Sequence, residues 1–117
     1  MADNDVSILF IADIVGKPGY EALSTFLPSL LKKYRVDICI ANGENGTKGN
    51  GLTEEVAKKY FDLGVDVITG GNHSWMFADF RRYMDTSDRV LRPLNYPDEA
   101  PGSGSTLYKT KRGHVVG

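Results

Sequence analysis

Three short apolar runs, residues 6–12, 36–41 and 65–69, alternate with two stretches of helical periodicity, and this alternation constrains the fold more than any other feature. In each run Val, Ile, Leu, Phe, Cys or Ala follow one another with little polar interruption, the pattern of strands covered on both faces in a parallel sheet. Between the first two, Ala22, Leu23, Phe26, Leu27, Leu30 and Leu31 recur at helical spacing and predict a helix over about 20–34 with one buried stripe. Pro28 lies inside it and predicts a kink or two shorter helices. Between the second and third runs, Thr53 reads as an N-cap, Glu54 and Glu55 sit at the positive end of the helix dipole, and Gly64 predicts a left-handed stop after Leu63. Strand, helix, strand, helix, strand is an α/β arrangement: βαβαβ layers with parallel strands and right-handed crossovers.

Past Trp75 the pattern weakens. A short helix over 76–83, a short fourth strand at 89–91, a turn-rich loop over 95–105 and a hairpin pairing 106–108 with 114–116 complete the reading. Val36-Asp37 and Val65-Asp66 open the second and third strands alike, an internal echo of one βα layer. At 117 residues there is room for a single domain. The last residues, Val115-Val116-Gly117, read as a strand in mid-course, so 1–117 is expected to be one incomplete domain. Half a sheet leaves apolar surface and open strand edges that invite self-association.

Bulk charge narrows the partners. A formal net charge of −1 gives no electrostatic reason to expect nucleic acid or an anionic membrane. Lys109, Lys111 and Arg112 gather at the expected hairpin tip and read as a solvated turn. No apolar stretch is long enough to span a bilayer, and Asp3 and Asp5 stand where an export signal would be basic. The lone Cys39, set inside an apolar run, reads as a buried hydrophobe suited to a reducing cytoplasm.

Chemistry concentrates where the apolar runs end. In open α/β sheets ligands sit beyond the carboxyl ends of parallel strands. The first run ends at Asp13, the second leads to Glu44 and Asn45, and the third leads through Gly70-Gly71 to Asn72 and His73. The glycine pair is expected to let the chain reverse freely. Carboxylates, amide oxygens and an imidazole converging on one edge make a hard mixed O/N set suited to Mn, Fe, Mg or Zn. With Glu44 between two ions about 3.5–4 Å apart, such a set clamps a phosphoryl group and activates water. Each residue alone also has a plainer use: Asp13 as a cap or turn residue, Glu44 as a solvated side chain, Asn45 and Asn72 as left-handed turn residues. His73 alone reads as a loop histidine and Trp75 as a core or rim aromatic. The spaced glycines of 46–51 match neither a P-loop nor a dinucleotide fingerprint.

The segments Ile11-Ala12-Asp13-Ile14-Val15-Gly16-Lys17-Pro18-Gly19, Ala41-Asn42-Gly43-Glu44-Asn45 and Gly71-Asn72-His73-Ser74-Trp75 resemble the YmdB-like metallophosphoesterases, as do Leu91-Arg92-Pro93, Asn95-Tyr96-Pro97 and Pro101-Gly102. Val15 stands where the wider calcineurin-like superfamily often has histidine, which favours this branch. The resemblance implies a cytoplasmic bacterial enzyme, usually oligomeric, hydrolysing 2′,3′-cyclic nucleotides or other phosphodiesters at a dinuclear centre. It implies Asp13 and Asn45 as ligands of one divalent ion, Glu44 as the bridge, Asn72 as a ligand of the other, and His73 as proton donor to the leaving oxygen. Iron or manganese is the expected metal, with magnesium or zinc as alternatives. The family continues into a second half bearing further metal-binding histidines, whereas this chain holds only His73 and His114. The resemblance therefore implies the N-terminal half of an enzyme, weakly active or inactive alone. The competing expectation is a noncatalytic module that binds a phosphorylated ligand or a partner through the same edge.

Overall fold

The computed structural model describes residues 3–117. Strands β1 (Ile8–Ile11), β2 (Ile38–Asn42) and β3 (Val67–Thr69) form a parallel sheet in the order β1-β2-β3, with Ile8 opposite Ile38 and Ile40 opposite Val67. Helices α1 (Gly16–Lys33) and α2 (Glu54–Leu63) connect them, and α3 (Ala78–Thr86) follows. A small antiparallel hairpin, β4 (Tyr108–Lys109) with β5 (Val115–Val116), ends the chain. The α/β layering is as expected. The fourth strand is reduced to single bridges, Ile68 with Val90 and Leu91 with Ser103.

One sheet face packs against the helices. Cys39, Ala41 and Ile68 meet Leu23, Leu27, Ala57 and Tyr60 in a core whose members are almost wholly buried. Burial pushes the Cys39 thiol up to about 11, so it behaves as a packed hydrophobe. The second helix matches its signals. The Thr53 hydroxyl accepts the Val56 N–H, and Gly64 closes the helix at φ 113°, where a side chain would be strained.

Three expectations change. First, α1 starts at Gly16 and runs as one helix through Pro28. The proline is exposed, so its ring meets no packed neighbour, and Leu23 and Leu27 on the buried side hold the helix to the core. Second, Phe26 is 61% exposed instead of lying in the buried stripe, and β1 is covered on one face only, with Ile8 and Phe10 each more than half exposed. Among the described residues no strand pairs with the outer edge of β1, and that half of the sheet stays open. Third, Arg112 is no free turn residue. Its guanidinium pairs with the Asp37 carboxylate at 3.1 Å and donates to the carbonyls of Asp3 and Asp5.

The repeated Val-Asp explains part of this tether. Asp37 accepts the Ser7 N–H at 2.8 Å and Asp66 accepts the Cys39 N–H at 2.8 Å, each carboxylate closing the start of the neighbouring strand. Each also holds the hairpin, Asp37 through Arg112 and Asp66 through the Tyr108 hydroxyl. No helix of the described residues is long and apolar enough to cross a membrane.

Candidate metal centre

The carboxyl ends of the three strands are stitched together by backbone hydrogen bonds. Ile14 N–H reaches Asn42 O, Gly43 N–H reaches Thr69 O, and Gly16 N–H reaches Asn45 O at 3.0 Å. These bonds bring side chains about one βα unit apart in sequence into one group.

Within that group Asn45 is the link. Its Nδ2 donates to Asp13 Oδ1 at 2.8 Å, and its Oδ1 lies 2.6 Å from His73 Nδ1. A carboxylate only accepts, so the amide must turn its NH₂ to Asp13 and its carbonyl to the imidazole. The carbonyl in turn requires the proton on Nδ1. Nε2 is thereby left as the nitrogen that exchanges protons with a ligand. Glu44 joins from the other side, accepting the His73 backbone N–H at 3.4 Å, with its Oε2 3.9 Å from Nδ1. Asp13 holds its place in a left-handed backbone conformation, φ 36°, uncommon for a residue with a side chain and characteristic of functional loops.

The glycine pair has a different purpose from the one expected. Neither Gly70 nor Gly71 adopts positive φ. What they lack is volume. A Cβ on Gly71 would overlap the Glu44 carboxylate, and one on Gly70 would overlap the Ser74 hydroxyl and stand 2.7 Å from Leu91 O. Ser74 is a positioning residue that sequence reasoning passed over: it is 1% exposed and its Oγ accepts the Gly71 N–H at 2.9 Å. Its spacing of three from a turn glycine is the signal for a side chain closing the turn.

Four of the five expected residues thus come together, Asp13, Glu44, Asn45 and His73. Asn72 lies at the same edge but is exposed, and it makes no hydrogen bond to any described residue. Trp75 is a rim aromatic, tilted on Tyr96 at 4.5 Å with its indole N–H on Pro101 O. His114 sits in the hairpin, away from the strand ends.

The donors can be tested against a divalent ion. Among the described residues no three His, Cys, Asp or Glu side chains form a ligand cluster, so an ion here must rely on amide oxygens as well. Asn45 Oδ1 has a second lone pair beyond the one facing His73, and both carboxylates keep lone pairs free. The space kept for the Glu44 carboxylate over Gly71 is consistent with a ligand fixed in advance. Two carboxylates with an amide oxygen suit a hard cation, and the set fits.

Comparison with known proteins agrees with this architecture. The family model described as "YmdB-like protein" matches residues 9–117. The chain is 40% identical over 102 residues to the 2′,3′-cyclic-nucleotide 2′-phosphodiesterase of Bacillus subtilis, covering 87% of this chain and 39% of that one. A crystal structure of a hypothetical protein from Thermus thermophilus superimposes with a TM-score of 0.81 at 36% identity, over 90% of this chain and 40% of that one. A novel phosphatase from Mycoplasma pneumoniae superimposes at 0.83 with 32% identity, over 90% and 39%. The chain thus spans about two fifths of the length of these relatives.

Proposed function

The chain belongs to the YmdB-like family, and on this basis we propose that its strand ends form the first part of a metal-dependent phosphodiesterase centre acting on 2′,3′-cyclic nucleotides or related phosphodiesters. The observation that carries this reading is the hydrogen-bonded run Asp13–Asn45–His73, with Glu44 against the same imidazole. Asp13, Glu44, Asn45 and Asn72 are the residues that would hold two divalent ions, iron or manganese before magnesium or zinc. Bound there, the ions would supply charge neutralisation of the phosphoryl oxygens and a water of lowered pKa.

The chain's own residues do the rest. Asn45 orients the imidazole by accepting the Nδ1 proton, and Asp13 orients Asn45. His73 Nε2, when protonated, gives its proton to the sugar oxygen that departs as the cyclic diester opens. Four ligands leave coordination positions unfilled on ions that take about six. We read residues 1–117 as one domain whose remaining ligands come from outside these residues, and whose activity alone is low.

Titration of Mn²⁺ into the metal-free 117-residue chain tests the centre without needing turnover. Binding heat is expected for the native chain and is lost in Glu44→Gln and in Asp13→Asn. Equal heats in all three would sink the centre. For the proton donor, His73→Ala is expected to lower hydrolysis of a 2′,3′-cyclic nucleotide by roughly 10²–10⁴-fold, the range of general acid–base contributions. Equal rates would remove His73 from that role.

A further inference from the structure

One cavity next to the strand ends is lined by three lysines among mostly apolar surface and by none of the residues assigned above. It measures about 220 Å³ and lies between the start of α1, the glycine loop and α2. Lys17, Lys48 and Lys59 converge on it, Tyr20 and Val56 supply an apolar wall, and no carboxylate lines it. Glu21 and Glu55 reach Lys17 and Lys59 only at 3.9 and 3.6 Å on exposed faces, contacts of little strength in water. Lys48 has no ion pair among the described residues and is held at φ 55°, an uncommon conformation for lysine.

Beneath the loop, outside the residues that line the cavity, lies an unpartnered polar group. Tyr60 is wholly buried, its hydroxyl has no hydrogen-bond partner, and burial pushes the phenol up to about 12. An orphaned buried hydroxyl is destabilising, and phenylalanine would fill the same space without that cost. The hydroxyl lies against Gly46, where a Cβ would overlap it, and Gly46 lines the cavity. Gly16, also in the wall, donates its N–H to Asn45 O, so the cavity adjoins the candidate centre through a single shared contact.

We propose that this pocket takes a second, non-reacting phosphate of the substrate: the group on the 5′ oxygen of the nucleoside whose 2′,3′-cyclic diester lies at the strand ends. The inference rests on the phosphodiester reading above and narrows it to substrates with a phosphate on each side of one ribose. Such a phosphate has two sources, a 5′-phosphorylated mononucleotide and the 3′ end of an oligonucleotide. The three lysines that line the pocket serve either.

The test compares affinities at low salt for a nucleoside 2′,3′-cyclic phosphate with and without a 5′-phosphate, and for a dinucleotide ending in a 2′,3′-cyclic phosphate. The 5′-phosphate is expected to tighten binding by about five-fold or more, the effect of one or two partly exposed charge contacts. That ratio falls to near one in the Lys17→Gln/Lys48→Gln/Lys59→Gln chain. A dinucleotide matching the 5′-phosphorylated compound identifies an oligonucleotide end; a dinucleotide without the gain identifies a mononucleotide. A ratio near one in the native chain, or one unchanged in the triple variant, overturns the proposal. Pyrophosphate alone separates this pocket from the metal centre. It is expected to shift the amide resonances of Gly16, Gly46 and Lys48 in the native chain and not in the triple variant, and absence of those shifts also overturns the pocket. If the shifts persist while Glu44→Gln leaves Mn²⁺ binding intact, the metal centre fails and the pocket stands.

Discussion

At the scale of single residues, space decides more than conformation. Gly71 is needed because the Glu44 carboxylate occupies the position of its missing Cβ. The clash is with the far end of a flexible side chain, which can swing away. Gly71→Ala is therefore expected to cost less than about 1 kcal/mol of stability, as for a change at a half-exposed site, while abolishing Mn²⁺ binding. Urea denaturation and metal titration of the same variant check the two halves separately, and intact metal binding would show that Glu44 does not need this position. His73 is governed in the same local way. One amide, Asn45, sets which nitrogen holds the proton, and the carboxylate of Asp13 sets the amide. The identities of these residues were legible in the sequence, as was their place at strand ends. Their order in the network was not, because it depends on donor directions that only the folded loops define.

At the scale of elements, local signals were reliable where they were chemical and poor where they were only periodic. Thr53 caps α2 as its position predicted, and its hydroxyl also meets Thr47 Oγ1 at 3.2 Å, tying the helix to the glycine loop. Thr53→Ala is expected to cost about 1 kcal/mol, in the usual range for a lost N-cap. Equilibrium unfolding measures it, and a change below a few tenths would mean that the cap is idle. For α1, the apolar spacing included Phe26 and Ala22, yet both are exposed. Periodicity finds an apolar face; it does not say how wide a partner covers it. A groove of about 300 Å³ runs between Ile11, Ile14 and the α1 side chains Leu23, Phe26 and Leu30, and opens beside Asp13. Pro28 misled for a related reason. A missing N–H and a ring clash are tolerated on an exposed side when buried leucines hold the helix.

At the scale of the whole molecule, the two poles of the sheet are closed by different means. The carboxyl pole is joined by loop backbones and gathers Asp13, Glu44, Asn45 and His73. The opposite pole is joined by Asp37 and Asp66, which tie strands β1 to β3 to the terminal hairpin. Asp37 is held below the ordinary carboxylate range, first by the Ser7 N–H and then by the Arg112 charge. A carboxyl with a lowered folded value stabilises fully above its unfolded value, and that contribution disappears as pH falls through the folded one. Asp37→Asn is therefore expected to be destabilising at neutral pH, with the difference from the native chain shrinking below about pH 4, where unfolded carboxylates protonate. Denaturation midpoints across a pH series test it, and a difference independent of pH would mean that the Asp37 charge contributes nothing.

The order of residues along the chain was enough to set the alternation of strands and helices, the cap and stop of α2, and the polar residues that follow each strand. Those features depend on neighbours within a few positions, where side-chain pattern and backbone preference act directly. Folding in three dimensions was needed to join Asn45 to Asp13 and His73, to leave Asn72 apart in the open, and to keep one face of β1 uncovered. It also placed the unpartnered Tyr60 hydroxyl under the loop that carries Glu44. These contacts join residues far apart along the chain, and they follow from strand register and loop stitching, which no local periodicity encodes.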